Sequence, residues 1–385
     1  QNAVETINQK IKSGEFGVSL LYGVTDSGKT EVYIRAIETA IQSGKSSIVL
    51  LPEIALTAQT VERLSGRFER VAVMHSGLTG SQRNCQWQKI KAGCTDVVIG
   101  ARSAIFAPLA NLGLVVVDEE HDPGYKQDTT PRYHARDVAI KRVQLCGGHC
   151  VVGSATPSLE TITNCQNKEH FELLTLPRRV MDLPMPKMQL VDMKLEYSQK
   201  NKASLISEKL RNRLEQTLAK KEQSILLLNR RGYSSFIFCR SCKHTLACRN
   251  CDVSLTFHKS PSMKNSFEGL IGKEVECGYA ICHHCLSKTL VRQKCPVCGK
   301  SMTMIGLGSQ RLEEELKEKL AGAKIARMDS DSMHSNSYYK LLDDFTRGKI
   351  DIIAGTQMIA KGLHFPNVTT VGIISADTSL YLPDF

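Results

Sequence analysis

The segment Gly23-Val24-Thr25-Asp26-Ser27-Gly28-Lys29-Thr30 has the spacing G-x-x-x-x-G-K-[ST] and follows the apolar run Val18-Ser19-Leu20-Leu21-Tyr22. That spacing is suited to binding phosphate. Glycines let the backbone curl until several N–H groups face phosphate oxygens. Lys29 neutralises the terminal phosphates, and the Thr30 hydroxyl can ligand Mg²⁺. Gly23, Thr25, Ser27, Gly28, Lys29 and Thr30 are therefore the expected nucleotide ligands. A Gly/Ser turn between strand and helix is the plainer reading of the stretch taken alone. The other half of such a site is a carboxylate delivered by a strand. Val115-Val116-Val117 runs into Asp118-Glu119-Glu120-His121, which places Asp118 for the metal and Glu119 as the base that orients attacking water. Asp26 is odd, because it sets a carboxylate inside a loop built for phosphates.

The second chemical feature is sulfur. Cys239/Cys242, Cys248/Cys251, Cys282/Cys285 and Cys295/Cys298 form four C-x-x-C pairs. Eight thiolates make two tetrahedral Cys₄ zinc sites, structural because no position is left for water. Spacing does not fix which pairs share an ion; a nested pairing, with Cys239, Cys242, Cys295 and Cys298 on one ion and the inner four on the other, is expected because it closes the insertion at its base. His244, His258, His283 and His284 lie nearby as substitute ligands that eight cysteines make unnecessary. Cys277 and the five cysteines from Cys85 to Cys165 read as small buried or surface residues.

Three further stretches carry polar groups. Gly153-Ser154-Ala155-Thr156-Pro157 places hydroxyls at a strand end, either linking the nucleotide site to a neighbouring lobe or capping a turn, and physics alone favours the cap. Tyr125–Arg136 interleaves aromatic and basic residues, among them Lys126, Arg132 and Tyr133. It suits single-stranded nucleic acid, or is a surface loop with its tyrosines packed down. Gly355–Gly362, with Gln357 and Lys361, mirrors these strand ends later in the chain.

Positioning such groups requires parallel sheets. Apolar runs at 18–22, 47–51, 71–74, 96–100, 112–117 and 149–154 alternate with helical patterns at 1–12, 31–40, 54–68 and around Trp87. That alternation predicts α/β architecture with ligands beyond the carboxyl ends of the strands. Pro177, Pro184 and Pro186 mark a linker, and a second α/β unit resumes near Leu205. The expected organisation is a nucleotide-binding lobe over 1–176, a linker over 177–200, and a second lobe over 201–385 with a zinc module inserted at 239–300. Two such lobes form a cleft that closes on ATP and opens after hydrolysis.

The chain has 385 residues, 42% of them hydrophobic, a net charge of +11 and a pI near 9.0. The charge suits a polyanion partner. No apolar run is long enough for a membrane span and the first residues are not a signal peptide. Fourteen cysteines without a secretion signal point to metal. Gln1 at the start and Phe385 after an apolar run suggest a fragment cut at both ends.

Read together, Gly23–Tyr33, Pro52–Thr57, His75–Leu78, Gly100–Pro108, Asp118–Asp122, Tyr125–Arg136, Gly153–Glu160, Gly355–Gly362 and the cysteine pairs resemble superfamily 2 helicases. More closely, they resemble the bacterial replication-restart helicases, over essentially the whole chain. The resemblance implies two RecA-like helicase lobes and 3′-to-5′ DNA unwinding driven by Mg-ATP at abandoned forks. It also implies primosome assembly with forked and single-stranded DNA, single-strand-binding protein and other primosome proteins. A monomer in the bacterial cytoplasm, associated with the nucleoid, is expected. It sets Gln1 near the adenine, and Arg102, Tyr125, Lys126, Arg132, Tyr133, Ser154, Thr156, Gln357 and Lys361 at DNA or in coupling.

Three departures stand out: Asp26 where the family has glycine, Gly362-Leu363-His364-Phe365-Pro366 for Gly-His-Asp-Phe-Pro, and the long spacer from Lys259 to Tyr279. The family's arginine-finger segment would follow Phe385 and its fork-binding domains would precede Gln1. This piece alone is therefore expected to hydrolyse ATP poorly. Two alternatives remain: another superfamily 2 translocase, or a degenerate helicase serving as a zinc-dependent assembly platform.

Overall fold

The computed structural model describes residues 2–52, 61, 64–182, 184–193, 195–196, 204–228, 235–239, 241–242, 244, 246–250, 255–258, 271–274, 278–282, 285, 287–291, 294–306, 309–328, 335–356, 365–374 and 376. Gln1, Cys251, His283, His284, Cys277, Gln357, Lys361, Leu363 and His364 lie outside the described residues, as does most of the expected 54–68 helix. The chain divides into two compact units, Gln1–Lys187 and Met188–Phe385.

The first unit is built on a seven-stranded sheet. Helix α1 (Asn2–Ser13) precedes β1 (Gly17–Gly23), α2 (Lys29–Gln42) and β2 (Ser46–Leu50). Then come β3 (Val71–Met74), α3 (Gly80–Lys91), β4 (Val97–Gly100) and β5 (Leu112–Asp118). A short ribbon, β6 (Lys126–Gln127) and β7 (Tyr133–His134), leads into α4 (Ala135–Cys146), β8 (His149–Ser154), α5 (Leu159–Asn167) and β9 (Phe171–Leu176). The sheet order is β3-β4-β2-β5-β8-β1-β9, with every pair parallel.

The central strands are buried on both faces, which is why they read as unbroken apolar runs. Leu20, Ile48, Leu50, Val115, Val117 and Val152 pack on one side. Alternate residues Leu21, Val49, Val116 and Val151 meet Ile34 and Ile37 of α2 and Ile7 and Ile11 of α1 on the other. Strand β9 falls outside the sequence expectation. Its burial alternates between half-buried and exposed positions, so at the sheet edge it carries no continuous apolar signal.

The second unit holds a parallel sheet and an insertion. Helix α6 (Glu208–Ala219) and β10 (Gln223–Leu228) come first. The insertion carries β11 (Ser235–Cys239), β12 (Thr256–His258), β13 (Ile271–Glu274), β14 (Gly278–Ile281), β15 (Lys288–Val291) and β16 (Met302–Gly306). The α/β pattern resumes with α7 (Ser309–Lys319), β17 (Ile325–Met328), α8 (Ser335–Thr346), β18 (Ile352–Gly355) and β19 (Val368–Ile374).

The parallel sheet runs β17-β18-β10-β19, while the insertion forms two antiparallel sheets, β11-β16-β13 and β12-β14-β15. Leu214, Leu226, Leu312, Leu316 and Ile352 pack one face of the parallel sheet, and Met328, Phe345 and Ile353 the other.

Candidate nucleotide site and metal centres

All strands of the first sheet run the same way, so the polar residues that follow them collect at one edge. Register makes this concrete: Tyr22 of β1 pairs with Ser154 of β8, and Gly153 of β8 pairs with Asp118 of β5. The phosphate loop, the Ser154 strand end and the acidic cluster are therefore successive neighbours.

The loop is shaped by tight packing. A Cβ on Gly23 would stand 2.4 Å from Ser27 Oγ and 3.0 Å from Leu176 Cβ, so a side chain here would displace the Ser27 hydroxyl. Gly28 caps α2 in the left-handed region at φ 87, without a side-chain hydrogen bond to the helix end. Backbone donors at a helix start with no side-chain cap are suited to an anion. Ser27 Oγ is buried with no hydrogen-bond partner, and Lys29 Nζ donates to Gly23 O at 2.9 Å. An orphaned hydroxyl, a cation parked on the loop's own carbonyl and an uncapped helix fit a phosphate ligand. Thr25 and Asp26 are exposed, while Thr30 is half-buried in the first turn of α2.

Asp26 takes φ 66. That region is open to glycine and tolerated by Asp or Asn, which accounts physically for a carboxylate at this point of the loop. Its side chain does not stand alone: Arg179 Nη2 lies 3.6 Å from Asp26 Oδ2.

The acidic cluster divides its work among four residues. Asp118 Oδ1 accepts from Tyr33 Oη at 2.9 Å. Burial and the adjacent Glu119 carboxylate push Asp118 up to about 6, against the lowering effect of Tyr33 and Lys29. Glu119 follows at φ 48, a costly backbone state for a side-chain-bearing residue and a common mark of functional positions. His121 Nδ1 lies 3.6 Å from Glu119 Oε2 and 2.8 Å from Ser154 Oγ, joining the two strand ends. Ser154 is fully buried and also accepts from Thr156 N at 2.9 Å, while Thr156 itself is exposed.

Glu120 is structural. It is fully buried and accepts from Arg136 Nη1 at 2.9 Å, Ser158 N at 2.6 Å and Thr161 Oγ1 at 2.9 Å. That buried, hydrogen-bonded pair ties the end of β5 to the starts of α4 and α5.

Tyr125 corrects the expectation of a stacking platform. Its ring is 1% exposed, and its hydroxyl lies 3.0 Å from Leu50 O and 2.6 Å from Asp118 O, the single proton serving both carbonyls. The packed-down alternative describes it: a ring in the core cannot meet a base. Residues 128–132 of the loop are exposed. Lys126 is exposed, and Arg132 Nε donates to Asp128 O at 3.1 Å. Tyr133 is half-buried edge-on to Phe106, with centroids 5.0 Å apart. Arg102 Nη1 reaches back to Gly124 O at 3.1 Å and Lys126 O at 2.5 Å, bracing the loop.

In the insertion, Cys239, Cys242, Cys295 and Cys298 place their sulfurs within 4.8 Å of one another, and Cys248, Cys282 and Cys285 do the same. This is the nested grouping for the seven described cysteines. Cys239 and Cys298 sulfurs are 3.3 Å apart, Cys242 and Cys295 3.5 Å, and Cys248 and Cys285 3.6 Å. Disulfides would need about 2.05 Å, whereas a tetrahedron of thiolates around zinc spans about 3.8 Å. Cys248 accepts from Asn250 N and Cys295 from Val297 N, each at 3.4 Å. Such donors stabilise thiolates, so the clusters suit a metal ion.

Comparison with known families agrees with this geometry. A DEAD/DEAH box helicase model matches residues 5–165, and a helicase conserved C-terminal domain model matches residues 285–382. Two parallel-sheet lobes with a phosphate loop and acidic strand end define a superfamily 2 helicase core. Over its whole length the chain is 47% identical to Replication restart protein PriA of Bacillus subtilis (strain 168), covering 46% of that protein. It is 42% identical to the protein of the same name from Chlamydia trachomatis serovar D, covering 50% of it. Over its whole length the chain thus resembles the replication restart proteins named PriA, and its two parts match helicase domain models. It spans about half the length of the curated relatives it matches. The solved DUF1998 helicase MrfA bound to DNA shares the fold at a TM-score of 0.53 and 13% identity, over 96% of this chain and 44% of that one. No helix among the described residues is long and apolar enough to cross a membrane.

Proposed function

We propose that this chain is the motor core of an ATP-dependent 3′-to-5′ DNA helicase that recognises stalled or abandoned replication forks, unwinds them and initiates primosome assembly. Its partners are forked and single-stranded DNA, single-strand-binding protein and other primosome proteins, in the bacterial cytoplasm at the nucleoid. The supporting observation is the strand order β5-β8-β1, which sets Asp118 beside the phosphate loop.

In this reading Gly23, Thr25, Ser27, Gly28, Lys29 and Thr30 hold the triphosphate, with Gln1 near the base. Asp118 and Thr30 hold Mg²⁺, which when bound neutralises charge on the phosphates. Glu119 orients the attacking water and accepts its proton at Oε. His121 carries the state of that site to Ser154 and Thr156. Arg102, Lys126, Arg132 and Tyr133, with Gln357 and Lys361, serve DNA, and Tyr125 acts from the core by positioning the loop. The cysteine clusters hold two structural Zn²⁺ ions, with Cys251 completing the inner one.

ATP turnover and fork unwinding by the full-length protein test the reading. Both should occur with DNA and be abolished by Lys29→Ala. Fork binding without any nucleotide binding would favour the assembly platform instead.

A further inference from the structure

The chain leaving β9 folds back over the phosphate loop. Val180 N donates to Asp26 O at 2.8 Å, and Val180 Cγ2 lies 3.6 Å from where a Cβ on Gly28 would stand. Between these contacts Arg179 presents its guanidinium to Asp26 at 3.6 Å. Arg179 Nη1 is held by Pro184 O at 2.9 Å, so the fork is anchored at its far side. The Arg179 side chain is 24% exposed and that of Asp26 43%. The pair sits at the rim of the site, where screening by water is incomplete.

We propose that Arg179 is the counter-charge that keeps this phosphate loop receptive to a nucleoside triphosphate despite Asp26. The inference rests on the nucleotide reading above. A carboxylate two residues before Gly28 opposes the approach of a polyanion. A guanidinium, charged at every working pH, cancels that field and ties the segment after β9 to the loop. Arg179 is thus a positioning residue that acts through Asp26, and residues 26 and 179 form one compensated unit.

A double-mutant cycle in the full-length protein tests this, read as the dissociation constant of a fluorescent ATP analogue with Mg²⁺ and as the melting temperature of each variant. Asp26→Asn is the partner of choice, because Asn also tolerates φ 66. Arg179→Ala should weaken binding about fivefold at low salt, and less at high salt, where screening replaces the guanidinium. Adding Asp26→Asn to Arg179→Ala should return the affinity close to that of the parent, because the two opposed charges then leave together, and Arg179→Lys should retain most of the affinity. If Arg179→Ala melts too low to assay, Arg179→Gln carries the comparison. A double variant that binds no better than Arg179→Ala, or no loss on Arg179→Ala alone, overturns the proposal. Failure of the parent protein to bind the analogue, or binding indifferent to Lys29→Ala, overturns the nucleotide reading instead.

Discussion

The hydroxyl of Tyr33 donates to Asp118 Oδ1 at 2.9 Å, and Gly153 makes room for it. A Cβ on Gly153 would stand 1.7 Å from Tyr33 Oη. Three residues, from α2, β5 and β8, therefore share one contact at the centre of the site. Hydrogen bonds to charged groups contribute about 1.5–3 kcal/mol. Tyr33→Phe should lower ATP turnover by roughly tenfold and raise the KM for Mg-ATP. Gly153→Ala should do much the same by expelling the ring. Because they break one contact, the double variant should cost less than the sum of the two, which steady-state kinetics can resolve.

Asp118 is costly to the protein without nucleotide. Its carboxyl is pushed from 3.8 to about 6, burial being the main cause and Glu119 the second. The folded state then binds this proton more tightly than the unfolded state. The stability contributed by the proton is present below the unfolded value and is lost as pH rises through about 6. The loss above that range is on the order of 2–3 kcal/mol. Asp118→Asn should abolish hydrolysis yet raise the melting temperature of the nucleotide-free protein at pH 8. The gain should vanish near pH 4, and thermal melts at the two pH values check it.

The Glu120–Arg136 pair should behave asymmetrically. Removing the cation strands a fully buried carboxylate, so Arg136→Ala should cost about 3–5 kcal/mol. Glu120→Gln leaves no buried anion and keeps an acceptor for Ser158 N, so it should cost much less. Urea unfolding of the two variants measures the difference.

Metal removal should act locally. Chelation should expose the thiols of both clusters and open residues 239–298 to protease, because ligand assembly and folding are coupled in such sites. Metal analysis should return two zinc ions per chain, and Cys239→Ser should lower that count and destabilise the insertion. Limited proteolysis with mass analysis of the fragments reports it. Unchanged protection after chelation would count against a structural metal.

The elements that sequence made legible share one property. Strands buried on both faces leave continuous apolar runs, and β2, β5 and β8 could be found from Ser47–Leu51, Leu112–Val117 and His149–Ser154. The edge strand β9 left no such run. The phosphate loop and cysteine pairs are local in sequence, so their spacing carries their chemistry.

The contacts that finish the site are not local. Tyr33 and Asp118 are 85 residues apart, and Ser154 and His121 33 apart. Only the strand order brings them together. The tyrosines of the Tyr125–Arg136 loop look alike in sequence, yet Tyr125 is drawn into the core by two backbone carbonyls while Tyr133 packs against Phe106. Composition cannot distinguish them, because the difference lies in which acceptors the neighbouring strand ends present.

The pairing of β11 with β16 sets Cys239 opposite Met302 and Ser235 opposite Gly306. Topologically this is a hairpin whose turn has grown into a folded module. Entry and exit of the chain through the module are adjacent, on β11 and β16 of the three-stranded sheet β11-β16-β13. Such a graft could be excised and replaced by a two-residue turn without altering the order β17-β18-β10-β19. Motor and metal module could then have diverged, or be exchanged, as separate parts.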